Sequence, residues 1–227
     1  MITAESLEIG YGRKNVASGI GFSVSDGECI LLAGANGCGK STLLRTLAGV
    51  VTPLSGRFRA DGPVRMIPSR IPKVKGFTLT QFIHTGCYRD SDWALRISPV
   101  AKENVREAIE MLGLGAIAYQ DISTLSDGQF QKACIATAVS SGARTLLLDE
   151  PTAYLDPDNK VAVLDSLKRC AREKSLCVLY SSHDIHFGAR SADRVMSFGG
   201  DGVFRVSSED PESKAETLGM NYLLLSR

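Results

Sequence analysis

The chain has 227 residues, 44% hydrophobic and 22% charged, with 22 Gly and 8 Pro, which suits one large folded domain and excludes a disordered or collagen-like protein. Lys and Arg number 26 against 25 Asp and Glu, so a net charge of +1 supplies no overall field for nucleic acid or an anionic membrane. No apolar run approaches the ~20 residues that cross a bilayer, residues 1–10 lack the pattern of an export signal, and the six cysteines form no C-x-x-C pair, as expected of reduced thiols in a cytoplasmic protein.

Residues 1–33 alternate short apolar stretches with turn signals such as Asp26-Gly27, and they close on Glu28-Cys29-Ile30-Leu31-Leu32-Ala33, a predicted buried strand. Gly34-Ala35-Asn36-Gly37-Cys38-Gly39-Lys40-Ser41 follows, and then Leu43, Leu44 and Leu47 recur at helical spacing. From about Thr78 to Ser141 the pattern is helical. Val105, Ala108, Ile109 and Leu112 share one face, Glu103, Arg106, Glu107 and Glu110 the other; Ser98-Pro99 supplies a cap with a first-turn proline, and Gly113 ends the run. Arg144–Leu148 and Leu176–Ser181 read as strands, and between them Asp156-Pro157 opens a helix with Leu164, Leu167, Cys170 and Ala171 at core spacing. The polar stretch Ser207–Glu216 reads as a loop, and the apolar tail Leu218–Leu225 is expected to dock on the body. Strands alternating with helices predict a parallel sheet with crossover helices.

The chemistry concentrates in two places. In the Gly-x-x-x-x-Gly-Lys-Ser run, glycines let backbone N–H groups curl around phosphate oxygens at a helix start, Lys40 reaches the outer phosphates, and the Ser41 hydroxyl ligates Mg²⁺. The strand Thr145-Leu146-Leu147-Leu148 then delivers Asp149 and Glu150 to its C-terminal end, where open α/β sheets bind ligands. Asp149 is expected at the Mg²⁺, and Glu150 is expected to polarise an attacking water.

Leu125-Ser126-Asp127-Gly128-Gln129, ahead of an Ala-rich helical run, resembles the LSGGQ signature of the ATP-binding cassette ATPases. Tyr11, the stretch Ala153-Tyr154-Leu155-Asp156 after Glu150-Pro151-Thr152, and His183 are similar to further marks of that family and follow in its order. The resemblance implies an α/β fold: a P-loop NTPase core with a mainly parallel sheet (about 1–75 and 142–227), an N-terminal antiparallel β subdomain, and an inserted helical subdomain (about 76–141) carrying the signature. It implies ATP and Mg²⁺ as cofactors, with Tyr11 stacked on adenine and residues 34–42, from Gly34 through Ala35, Asn36, Gly37, Cys38, Gly39, Lys40 and Ser41 to Thr42, around the phosphates. Ser126, Gly128 and Gln129 would meet the γ-phosphate held by a second copy in a head-to-tail homodimer. Glu150 and His183 are the implied catalytic pair, and Ser41 and Asp149 the implied metal ligands.

Two positions depart from the family pattern. Ser69 occupies the place of its Q-loop glutamine, with Gln81 a poor substitute twelve residues on, and Asp127 replaces a signature glycine; its side chain is expected to turn away from the phosphate. Phe77-Thr78-Leu79-Thr80-Gln81-Phe82-Ile83 with His84-Thr85-Gly86-Cys87-Tyr88 looks like a segment of the importers for iron-siderophore, haem and cobalamin. That implies an ATPase on the inner face of the membrane, working with permease subunits and, indirectly, a substrate-binding protein, and with no nucleic acid. The alternative is another ABC system, for export, cell division or lipoprotein release, or a non-transport ABC protein; the last would need a long coiled-coil insertion or a second cassette.

Overall fold

The computed structural model describes residues 1–90, 97–199 and 203–219. Its first half runs β1 (Ile2–Tyr11), β2 (Lys14–Val24), β3 (Cys29–Gly34), α1 (Lys40–Leu47), β4 (Ser55–Ala60), β5 (Val64–Ile67), α2 (Leu79–His84) and α3 (Pro99–Met111). Its second runs α4 (Asp127–Ser140), β6 (Thr145–Leu148), α5 (Pro157–Lys174), β7 (Cys177–Ser181), α6 (Ile185–Ser191), β8 (Arg194–Phe198), β9 (Phe204–Val206) and α7 (Pro211–Leu218).

An antiparallel sheet has the order β2-β1-β4, and a second sheet the order β5-β6-β7-β3-β8-β9, parallel except for β9. Along β1, Ile2 and Ala4 are buried, and then Leu7 and Ile9, which an unbroken period of two would send to the opposite face. Pairing shifts between Ala4 and Leu7, where Ser6 takes φ +45°, and this bulge turns both sets of side chains to one core.

The central strands are apolar throughout because both faces are covered: all four residues of β6 and all five of β7 are buried. Side chains of β3 alternate between two layers. Ile30 and Leu32 pack with Leu43, Leu44 and Leu47 of α1 and with the antiparallel sheet, whereas Leu31 and Ala33 pack with Leu164 and Leu167 of α5 and with the helices before β6. Full burial of each such side chain contributes roughly 1.5–3 kcal/mol, so α1 is seated by three leucines on its inner face.

Between β5 and β6 the chain forms α2 to α4, which pack mainly on one another. α2 begins with a capping box in which Gln81 N donates to Thr78 Oγ1 and Thr78 N donates to Gln81 Oε1 at 2.9 Å. The Gln81 amide is thereby committed to its own helix. Ser98 caps α3 with Pro99 in its first turn, and Gly113 follows at φ +66°, as the spacing predicts. Arg106 bonds both Glu103 and Glu110 along the exposed face.

The segment expected as a loop from Ser207 to Glu216 is in part a helix. Asp210 caps α7 by accepting from Ser213 N, Pro211 opens it, and Lys214 and Ala215 are buried, the lysine donating to Ala192 O at 2.7 Å. Its Asp-Pro start has the same chemistry that opens α5, and its high polarity masks a small contact face in which only Ala215 and Leu218 are apolar. Of the predicted apolar tail, Leu218 packs against the core, and residues 220–225 lie outside the described residues. All six cysteines are free thiols, buried except Cys38, which is half-buried. No helix among the described residues is long and apolar enough to cross a membrane.

Candidate functional site

β3 ends at Gly34 with φ +145°, where a Cβ would lie 2.7 Å from Cys38 Sγ, so the tight return of the loop requires glycine. Gly39, at φ +114°, then opens α1, which has no side-chain cap and no acidic residue in its first turn. Its N-terminal N–H groups and positive dipole end are therefore left for an anion. The Lys40 side chain folds back over the loop, Nζ donating to Gly34 O at 2.8 Å and to Ala35 O at 3.2 Å, within reach of any phosphate in that cradle. A cavity of about 890 Å³ opens beside residues 34–38, with Val16, Ala17 and Ser197 on its walls. Tyr11 is 47% exposed at the end of β1; hydrogen bonds first to Thr42 and then to Arg45 hold its phenol below the usual tyrosine range and place it beside the start of α1.

The carboxylates of the β6 end meet this loop. Asp149 is buried, and its Oδ1 accepts from Ser41 Oγ and from Ser181 Oγ, both at 2.9 Å. Ser181 Oγ in turn accepts from Glu150 N at 2.9 Å. Glu150 stands at φ +53°, a left-handed conformation costing a non-glycine residue on the order of 1 kcal/mol. Its Oε2 lies 2.8 Å from His183 Nδ1 and accepts from His183 N at 3.3 Å. Lys160, bonded to Asp184 at 2.6 Å, steadies the chain just after that histidine. Ser181 is absent from the sequence-based set of site residues: its role follows from the parallel register that pairs Leu148 with Tyr180 and so brings the next residues of β6 and β7 together.

Residues 126–129 lie elsewhere, and none of them lines the cavity at the phosphate loop. Ser126 is the cap of α4, and its Oγ accepts from Gln129 N while Gln129 Oε1 accepts from Ser126 N. An anion arriving at this helix start has to share the Gln129 N–H with the Ser126 hydroxyl. Gly128 is buried against α5, where a Cβ would lie 2.4 Å from Asn159 Oδ1. The Asp127 carboxylate accepts from Lys73 Nζ at 2.7 Å. Ser69 is exposed, on the wall of a groove of about 550 Å³ that also holds Arg70, Asp127 and Tyr154. His186 is exposed, and no group of three or more His, Cys, Asp or Glu among the described residues is placed to hold a metal. The Ser41 hydroxyl and Asp149 carboxylate are nonetheless the hard oxygen donors that suit Mg²⁺, which takes few protein ligands and keeps phosphate and water for the rest.

An uncapped helix start behind a glycine loop, facing a strand-end aspartate across a shared serine bond, defines a P-loop nucleotide-binding protein. The ABC transporter family matches residues 17–153, and the chain belongs to that family. It is 30% identical over 209 residues to the ferric enterobactin transport ATP-binding protein FepC of Escherichia coli (strain K12), with 86% of this chain and 77% of that one covered. Over the same length it is 31% identical to the probable siderophore transport system ATP-binding protein YusV of Bacillus subtilis (strain 168), covering 86% and 76%. Among solved structures it resembles an inward-facing putative metal-chelate type ABC transporter, with a TM-score of 0.85 and 25% identity over 96% of this chain and 86% of that one. The α/β cassette fold with its antiparallel β subdomain and helices, and the ATPase class, are those expected from the signature resemblance.

Proposed function

We propose that this chain is the ATP-hydrolysing subunit of an importer for an iron complex, haem or cobalamin, working as a head-to-tail homodimer beneath a separate permease that a substrate-binding protein loads. The names of the transport relatives and the 77–88 segment support the importer class. The observation that carries the hydrolytic reading is the Glu150–His183 contact at 2.8 Å next to the Ser41–Asp149 bond.

ATP enters with its phosphates over residues 34–42 and its base near Tyr11; Lys40 exchanges its contacts with Gly34 O and Ala35 O for phosphate oxygens. Ser41 and Asp149 would hold Mg²⁺, which neutralises phosphate charge when bound. Glu150 accepts the proton of the water as its oxygen attacks the γ-phosphorus and the bond to the bridging oxygen breaks, leaving ADP and phosphate. The His183 backbone N–H keeps Glu150 oriented, and the ring N–H that meets Glu150 turns to donate to the γ-phosphate when ATP binds. Ser126, Gly128 and Gln129 complete the site of the second copy, which accounts for a phosphate-competent helix start remote from the chain's own loop. Residues 76–141 form the helical subdomain facing the permease, and the chain sits on the inner face of the membrane through that contact.

Glu150→Gln keeps the shape and removes the proton acceptor, an interaction needed only in the transition state. It is expected to abolish steady-state phosphate release while ATP still binds. Turnover within twofold of wild type would remove Glu150 from its role.

A further inference from the structure

The segment after β5 carries two cations that take different partners. Arg70 donates to the Tyr154 hydroxyl at 2.8 Å, its guanidinium 5.5 Å from the ring centre. Lys73 reaches the start of α4 instead: Nζ donates to Leu125 O at 2.8 Å and to Asp127 Oδ1 at 2.7 Å, and lies 5.5 Å from the centre of the Phe130 ring. Leu125 precedes the cap residue Ser126 and Asp127 follows it, so one ammonium grips the chain on both sides of the signature serine.

A cation at a helix N-terminus opposes the dipole, and a carboxylate in the first turn favours it. Asp127 therefore offsets the charge that Lys73 brings, and its partner is a lysine rather than a phosphate. This gives a physical reason for an acid where the resemblance has glycine. Lys73 is also the better anchored of the two, its side chain 27% exposed against 68% for Asp127.

We propose that Lys73 and Asp127 are a positioning pair that ties segment 69–73 to the signature loop and sets how Ser126 and Gly128 face a nucleotide held by a second copy. The proposal rests on the two-copy reading above. Neither residue touches nucleotide; both act through the chain around Ser126.

The test uses the full chain as wild type, Lys73→Ala, Lys73→Arg, Asp127→Ala, the Lys73→Ala/Asp127→Ala double variant and Ser126→Ala, measuring steady-state phosphate release and, separately, equilibrium binding of ATP. Lys73→Ala is expected to lower kcat by about 10- to 100-fold, the usual effect of small misplacement, with ATP binding within twofold of wild type. Lys73→Arg, which keeps the charge and can donate to both acceptors, should recover most of the rate. The double variant should be no slower than Lys73→Ala alone, because both changes remove one shared interaction. If Ser126→Ala loses turnover while Lys73→Ala keeps kcat within twofold, the pair has no positioning role and the two-copy reading survives. If Ser126→Ala keeps full turnover, that reading fails and the proposal with it. Loss of ATP binding in step with kcat in Lys73→Ala would mark general damage to the fold and would also overturn it.

Discussion

Replacing Ser181 with alanine removes the hydroxyl that joins the two acidic residues at the end of β6. The serine is fully buried, donates to Asp149 Oδ1 at 2.9 Å, and accepts from Glu150 N at the same distance. A hydrogen bond to a charged group contributes ~1.5–3 kcal/mol, and a buried N–H left without a partner costs ~1–3 kcal/mol. Asp149 retains its bond from Ser41, so the loss is placed at about 3 kcal/mol within that range. For a chain of this length each kcal/mol moves Tm by ~2–4 °C, so calorimetry should find a fall of ~6–12 °C. Glu150, at φ +53°, depends on the same bond for its placement, and a shift of ~1 Å is expected to reduce kcat by up to ~100-fold. Ser181→Thr keeps an oxygen but adds a methyl group to a full site, at ~1–3 kcal/mol, and should separate the two effects: lower Tm with most of the rate retained. If Ser181→Ala melts within ~2 °C of wild type and turns over within about twofold, the serine does not hold the two acids in place.

Gly128→Ala would put a Cβ 2.4 Å from Asn159 Oδ1, and that amide is itself held by the Asp156 carboxylate at 2.6 Å, so the start of α4 must move. The expected result is a kcat lowered on the order of tenfold with ATP affinity unchanged, and recovery when Asn159→Gly is added; no recovery would show that the clash is not the cause. Burial pushes the thiols of Cys134 and Cys177 up to about 12 and that of Cys170 up to about 11, and it drives Cys29 higher still. These four stay protonated and shielded at neutral pH, so a maleimide on the native chain should modify half-buried Cys38 first, more slowly with MgATP present. Peptide mass spectrometry gives the order of labelling, and equal rates at Cys38 and Cys134 would contradict it.

Features with local causes were legible from the chain alone. The glycine loop, the acid pair ending an apolar strand, and the Ser98-Pro99 and Asp156-Pro157 helix starts each depend on neighbours a few residues away, and the structure has strand, loop, helix and caps at those positions. α7 carried the same local mark in Asp210-Pro211, but its polar composition gave no sign that Lys214 would lie buried against Ala192. Contacts between distant segments belong to the tertiary structure. Ser181 and Asp149 are 32 residues apart and meet through the pairing register of β6 and β7; Lys73 and Asp127 are 54 apart and meet across the packing of β5 and the segment after it on α4. The sequence by itself determined which groups can bind phosphate, carry a metal or accept a proton, because that is set by residue type and the turn that presents it. Packing decided which of those groups share a hydrogen bond, because strand register and helix docking depend on the fit of the whole core.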